Sequence, residues 1–322
     1  MLVLGDLGTL LSPLVARVDI ADLVIGTVLN SGGIFITQIA VQSVYVVVVP
    51  ATATTLPFPR TLDALDAWID ETPRRGWQTA YRGASESLVD AIANYEDDLV
   101  IALNKPHGLA VQGGTKTSRH VDRLLSAWGE GMDRPRLVHR LDRDTSGVLL
   151  LGKGPEAAKR LAGAFARRQA KKTYWAIVIG NPKPYSGQID MPLKKTGIND
   201  FEMMRPADRK DPKAEPAETA FATLSRAAHR ASWMALRPFT GRTHQLRAHM
   251  AGIGHPILGD PKYGDEASRE LSGPLKLQLH ARRIELDHPG GGKLIVEAPL
   301  SPEMKAGFNH FGFSEDEADE DP

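Results

Sequence analysis

The segment Leu137–Leu151 (LVHRLDRDTSGVLLL) constrains this chain most. It begins and ends with apolar residues, which predicts a loop held between two buried strands. The loop carries two carboxylates, Asp142 and Asp144, among basic and hydroxyl side chains: His139, Arg140, Arg143, Thr145 and Ser146. Neighbouring cations favour an ionised, oriented carboxylate. A catalytic site and a structural network of ion pairs would both have this composition.

A second polar segment, 240–250, reads TGRTHQLRAHM and predicts a helix from about residue 243. Its arginines, Arg242 and Arg247, suit phosphate contact or pairing with a buried carboxylate. Its histidines, His244 and His249, are five residues apart. This spacing does not place two side chains on one helical face, so it does not favour a two-histidine metal site.

A third segment, KTY at 172–174, begins a strand whose other members are mostly apolar. Tyr174 is therefore either a core tyrosine with a satisfied hydroxyl or a functional aromatic residue at the edge of a cleft. The segment alone does not separate these two interpretations.

Composition bounds the class of protein. The 322 residues suffice for one large domain and a small accessory region. The chain contains no cysteine, which excludes disulfides, thiolate metal sites and a cysteine nucleophile and fits a reducing cytoplasm. No purely apolar run exceeds six residues, which is too short to span a membrane, and one such run, Val44–Val49, predicts a buried strand.

The formal net charge is zero, but it is distributed unevenly. Residues 1–96 carry a net charge of −5, residues 97–313 carry +11 and residues 314–322 carry −6. A basic region of this size suggests a polyanion such as RNA or DNA as the partner. A solvated basic face without a partner would give the same counts.

The order of predicted elements, with many strands and few helices, indicates an α+β protein. We expect four regions: an N-terminal extension at 1–50, a linker with short helices at 51–94, a main domain at 95–310 and an acidic tail at 311–322. The tail is expected to be disordered, because its last nine residues, 314–322, include six acidic residues and no basic residue.

Five motifs follow one another over residues 95–302. They are YEDDL at 95–99 with NKPHGL at 104–109, HRLD at 139–142 with TSG at 145–147, KTY at 172–174, TGRTHQLR at 240–247 followed by HPI at 255–257, GD at 259–260 and YG at 263–264, and LHA at 279–281 with HP at 288–289 and AP at 298–299. This series resembles the RluA-type pseudouridine synthases, in which 95–310 would be the catalytic domain.

The resemblance implies a fold and a reaction. The fold would be a central, mixed, mostly antiparallel β-sheet flanked by helices and loops, with a small N-terminal α+β extension at 1–50. The reaction would isomerise a flipped-out uridine of ribosomal or transfer RNA to pseudouridine, without metal or cofactor. The enzyme would act in the cytoplasm as a monomer, with no membrane partner.

The resemblance also assigns residues. Asp142 would be the catalytic carboxylate, Arg247 its charged partner, and Tyr174 a ring stacked on the base. Further contacts with the RNA are expected from six side chains: Arg140, His139, Lys105, Arg242, His244 and Gln245.

Two other readings stay open. A non-catalytic RNA-binding protein could share this fold. A glycoside hydrolase would need two separated carboxylates, which Asp142 and Asp144 could supply. In some relatives the N-terminal region is a small RNA-binding module. Here residues 12–50 contain one basic residue, Arg17, so this region is either a degenerate module or a packing extension.

Overall fold

The computed structural model describes residues 17–18, 33–40, 43–49, 93–113, 120–125, 131–132, 134–197 and 203–318. The chain divides into two units, 1–91 and 92–322. In the first unit, β1 (Arg17–Val18), β2 (Gly33–Ala40) and β3 (Ser43–Val49) form an antiparallel sheet in the order β1-β3-β2. The strand predicted at Val44–Val49 is confirmed. The helices expected before it, and the linker up to residue 92, lie outside the described residues.

The second unit is built on a ten-stranded sheet with the order β4-β5-β7-β14-β8-β13-β12-β9, in which β6 pairs with β7 and β15 with β14. Its strands are β4 (Ala93–Glu96), β5 (Val100–Lys105), β6 (Arg136–Leu137), β7 (Ser146–Gly152), β8 (Lys171–Ile179), β9 (Ser186–Asp190), β12 (Glu218–Ala227), β13 (Ala231–Pro238), β14 (Leu279–Asp287) and β15 (Lys293–Glu297). The pairing of β7 with β14 is parallel and the other pairings are antiparallel. The expected mixed, mostly antiparallel α+β architecture is therefore confirmed.

Smaller elements flank this sheet. Two strands, β10 (Leu193–Thr196) and β11 (Met203–Pro206), form a separate antiparallel pair. The helices are α1 (Val121–Leu124), α2 (Gly154–Ala166), α3 (Gln245–Gly252), α4 (Glu266–Ser272) and α5 (Pro302–Phe311). Within the described part of the chain, no helix is long and apolar enough to cross a membrane.

Strand β8 shows how the sheet separates two cores, because successive side chains of a strand point to opposite faces. Tyr174, Ala176 and Val178 pack on the face that carries Leu246 of α3. Trp175 and Ile177 pack on the other face. The Tyr174 face is therefore the one that also receives the segment 240–250.

The parallel pairing of β7 with β14 depends on Gly147. This glycine has φ +107°, and a Cβ added to it would lie 2.2 Å from the carbonyl oxygen of Ala281. A residue with a side chain could not bring the two backbones this close. Since β7 follows the loop that contains Asp142, this contact sets the position of the loop on the sheet.

We expect Gly147→Ala to destabilise the protein by about 3 kcal/mol or more, because the backbone strain adds to a steric overlap. Gly291 is a matched control, since its φ is also +107° but a Cβ there would meet open space. Gly291→Ala should cost only about 1–2 kcal/mol. Urea unfolding of both variants measures the difference, and equal losses would show that the contact with Ala281 is unimportant.

The C-terminal segment differs from its expected disorder. Phe313 is buried, and it packs with Phe308 and Trp233 on the face of the sheet opposite Tyr174. A 3₁₀ turn follows at Glu315–Glu317, and the Glu315 carboxylate lies 3.5 Å from Arg282. The segment therefore packs on the domain as far as residue 318, through apolar contacts of Phe311, Phe313 and Ala318. Residues 319–322 lie outside the described part.

Candidate active site

Asp142 lies in the loop between β6 and β7. Its backbone carbonyl accepts a hydrogen bond from the Thr145 N–H group (3.2 Å), which closes a tight turn. Thr145 and Ser146 are buried behind it, whereas the Asp142 side chain is 23% exposed. The turn therefore leaves the Asp142 carboxylate accessible to solvent, while the residues that follow it are buried.

Ser146 fixes the end of this loop to two other elements. Its Oγ lies 2.9 Å from Nδ1 of His280 on β14 and 3.2 Å from Oγ of Ser301. The Ser301 hydroxyl in turn accepts from the Met304 N–H group and caps α5. Burial lowers the pKa of His280 to about 4, so its imidazole is neutral at neutral pH. The loop is thus tied to the centre of the sheet by neutral hydrogen bonds.

Lys105 corrects a prediction, because it does not face RNA. Its side chain is fully buried, and Nζ donates to the carbonyl oxygens of Pro106 (2.9 Å), Leu109 (2.8 Å) and Arg143 (2.9 Å). Burial lowers its pKa to about 7, against the opposing charges of Asp144 and Asp142. Lys105 therefore clamps the loop after β5 to the loop that carries Asp142.

Tyr174 stands two strands away from the Asp142 loop. In the sheet, Ala281 of β14 pairs with Gly147 on one side and with Tyr174 on the other. Burial raises the pKa of the Tyr174 hydroxyl, and the charge of Asp142 raises it further. The raised pKa keeps the Tyr174 hydroxyl protonated at neutral pH.

Arg247 was predicted to pair with Asp142, but its partner in the structure is Asp260. The guanidinium Nε and one terminal nitrogen lie 2.7 and 2.6 Å from the two carboxylate oxygens of Asp260, a bidentate pair. The two side chains are 3% and 0% exposed. Burial lowers the pKa of Arg247, but the hydrogen bond and charge of Asp260, and then the charge of Asp142, raise it more. The net pKa is therefore raised above its ordinary value. Arg247 is therefore near Asp142 without contacting it.

The imidazole of His244 lies next to the Asp142 carboxylate. Its Nε2 lies 3.9 Å from Asp142 Oδ2, and its Nδ1 lies 3.1 Å from the hydroxyl of Tyr263. Burial lowers the pKa of His244, against the opposing charge of Asp142. The structure thus places His244 beside the carboxylate rather than on an outer RNA-binding surface.

Two more predicted RNA contacts are corrected. The Gln245 amide is buried and bonded to Thr240, Thr219 and backbone groups, so it supports the loop before α3. The His139 ring stacks on Phe165 at 4.2 Å, and its Nε2 accepts from the Leu150 N–H group. Burial lowers the pKa of His139 to about 3. Both side chains are therefore structural.

The remaining two predicted contacts differ from each other. Arg140 is exposed, two residues before Asp142, and its side chain is available to RNA. Arg242 is partly exposed, and its guanidinium lies 2.6 Å from Glu215 and donates to the Pro216 carbonyl. Arg242 could reach a phosphate only by exchanging a carboxylate partner.

Sequence reasoning did not assign Asp260 or Tyr263 to the site, although both lie within recognised motifs. Asp260 Oδ1 accepts from the N–H groups of Lys262 (2.8 Å) and Tyr263 (3.0 Å) as well as from Arg247. The signal in the sequence would have been the acid Asp260 in the motif segments 259–264, because an acid that becomes buried needs a cationic partner. The pair therefore fixes the turn that carries Tyr263.

Comparison with known proteins shows the family of this chain. Residues 99–252 match the sequence profile of a family described as RNA pseudouridylate synthase. The ribosomal large subunit pseudouridine synthase C of Escherichia coli K12 is 39% identical over 225 residues, which cover 68% of this chain and 69% of that protein. The chain belongs to the RNA pseudouridylate synthase family. It is of the RluA type and is an isomerase.

Other similar proteins belong to the same family. An uncharacterized RNA pseudouridine synthase of Zymomonas mobilis is 40% identical over 206 residues, covering 63% of this chain and 91% of the relative. Synthase C of Vibrio parahaemolyticus is 36% identical, with 66% of each chain covered, so the chain spans about two thirds of such relatives. The structure of human RNA pseudouridylate synthase domain containing 4 superposes with a TM-score of 0.60 at 26% identity, covering 71% of this chain and 97% of that one.

Proposed function

We propose that this protein isomerises uridine to pseudouridine in large-subunit ribosomal RNA, with Asp142 as the catalytic carboxylate. The observation that carries the proposal is the gathering of ionisable groups around one partly exposed carboxylate. The charge of Asp142 contributes to the pKa of each group in this set: Lys105, Tyr174, His244, Arg247 and Tyr263. The choice of ribosomal RNA rests on the names of the relatives from Escherichia and Vibrio.

The reaction breaks the bond between the ribose and a ring nitrogen of uracil and forms a bond from the ribose to a ring carbon. The carbon loses its proton and the nitrogen gains one, so atoms and electrons balance without a cofactor. An ionised Asp142 can attack the sugar or the ring, or remove a sugar proton. The target uridine must flip out of its RNA helix to reach Asp142.

Tyr174 and Arg140 support the substrate in this proposal. Since the pKa of Tyr174 is raised, its hydroxyl stays protonated and its ring serves as an apolar surface for the base rather than as a phenolate base. Arg140 is exposed next to Asp142 and would contact a phosphate or fill the gap left by the flipped base.

The test uses unmodified transcripts of large-subunit ribosomal RNA and of transfer RNA, labelled with tritium at uracil C5. Pseudouridine formation releases that tritium to water. We expect release from the ribosomal transcript and not from the transfer RNA. Tritium release from transfer RNA alone would show that transfer RNA, and not ribosomal RNA, is the substrate. Binding of RNA without tritium release would favour the non-catalytic alternative. Hydrolysis of glycosides would favour the glycosidase reading.

A further inference from the structure

We propose that His244, held in one tautomer by Tyr263, is a positioning residue that orients the carboxylate of Asp142 for reaction. This inference rests on the proposed role of Asp142. It assigns to His244 a task other than RNA contact, and it brings Tyr263 into the site.

The first support is proximity. His244 Nε2 lies 3.9 Å from Asp142 Oδ2. The separation is longer than a hydrogen bond. A small rotation of either side chain would close it, and such contacts commonly tighten only when substrate is bound.

The second support is the hydrogen-bonding direction. The Tyr263 hydroxyl accepts from the backbone N–H of Met204 (2.8 Å). Its own proton has one acceptor in range among the described residues, Nδ1 of His244 (3.1 Å). A neutral imidazole that accepts at Nδ1 carries its hydrogen on Nε2. His244 therefore presents an N–H group, and not a lone pair, to Asp142.

The third support is that both rings are held in place. The Tyr263 backbone N–H donates to Asp260, which Arg247 fixes, and the Arg247 guanidinium lies 5.2 Å from the centre of the Tyr263 ring. The two rings meet edge to face, with centroids 5.7 Å apart. Arg247 thus acts on Asp142 indirectly, through Asp260, Tyr263 and His244.

The backbone of His244 is also strained. It has φ 50° and ψ 22° in the left-handed region, directly before α3, and its side chain does not cap the helix. A residue other than glycine is costly there, and such strain is concentrated at functional sites. A helix start without this turn would direct the ring away from its present place beside Asp142.

The pKa of the His244 ring is lowered from its ordinary value, chiefly by burial. Burial lowers the pKa of His244, and the positive charges of Arg247 and Lys262 lower it further. Asp142 and Asp260 oppose this effect. The tautomer argument therefore applies at neutral pH.

The test compares Tyr263→Phe with Tyr185→Phe in the full-length protein. Tyr185 is an exposed tyrosine, 47% accessible, whose hydroxyl also accepts one hydrogen bond, from Arg226. On the ribosomal transcript we expect Tyr263→Phe to lower kcat by about tenfold with KM changed by less than about twofold. Tyr185→Phe should leave both constants near the wild-type values.

A second pair of variants separates the effect of the His244 N–H donor from the effect of the side chain's shape. His244→Gln keeps an N–H donor near Asp142, whereas His244→Leu does not, and both carry the same backbone strain. We expect His244→Gln to retain a kcat at least about fivefold above that of His244→Leu. Equal rates in the two variants would count against the donor role.

A spectroscopic measurement is independent of activity. Nitrogen-15 spectra of the histidine rings should show His244 with its hydrogen on Nε2 in the wild type and a mixture of tautomers in Tyr263→Phe. A wild-type ring protonated on Nδ1, or an unchanged kcat in Tyr263→Phe, would overturn the positioning role and leave the proposed function standing. Absence of product from the wild type would overturn both.

Discussion

Asp142→Asn is expected to lower the rate of pseudouridine formation by about a thousandfold or more, because the amide has nearly the same shape but no negative charge to attack or accept a proton. RNA affinity should change by less than about threefold. The fold should survive, since Thr145, Ser146 and Lys105 hold this loop through groups other than the Asp142 carboxylate. Single-turnover tritium release and filter binding measure the two quantities.

Asp144→Asn is the matched control. Its carboxylate lies 4.0 Å from His107 and 3.9 Å from Arg143, and its exposure is similar to that of Asp142. We expect a loss of less than about tenfold, in line with a supporting charge. A large loss in Asp144→Asn together with an active Asp142→Asn would transfer the catalytic role to the other carboxylate.

Asp260→Ala is expected to reduce the free energy of unfolding by about 3–5 kcal/mol, because it leaves the buried Arg247 guanidinium without its partner. The same change removes the acceptor for the N–H groups of Lys262 and Tyr263. Urea denaturation followed by tryptophan fluorescence measures the loss.

The control for this prediction is Asp287→Ala, which removes the carboxylate of an exposed pair with Lys293. Solvent screens that pair, so its unfolding curve should be close to that of the wild type. If Asp260→Ala were equally mild, the pair with Arg247 would not hold the Tyr263 turn, and the indirect role given to Arg247 would be lost.

The sequence predicted the sheet and the Asp142 loop well, because both depend on local patterns. The apolar runs on either side of 139–146 allow little except a loop between strands. The partners of buried charged side chains could not be predicted from the sequence. The family resemblance led us to expect Lys105 to contact RNA, but the three carbonyls that accept from it come from two loops distant in sequence, one after β5 and one before β7.

Arg247 shows the same limit. The motif TGRTHQLR does not show which carboxylate will pair with the Arg247 guanidinium. In the structure the partner is Asp260, which is buried in a neighbouring turn. The charge of the C-terminal segment predicts disorder, but it does not reveal the apolar contacts that Phe311, Phe313 and Ala318 make with the domain.

The position of β14 has a consequence for synthesis. It is inserted between β7, which follows the Asp142 loop, and β8, which carries Tyr174, although it is made long after both. While the nascent chain is still emerging, the two halves of the sheet lack their shared neighbour. Pairings between distant segments form slowly and leave strand edges exposed in the meantime. The sheet that carries Asp142 and Tyr174 can therefore be completed only after β14, which lies near the end of the chain, has been translated.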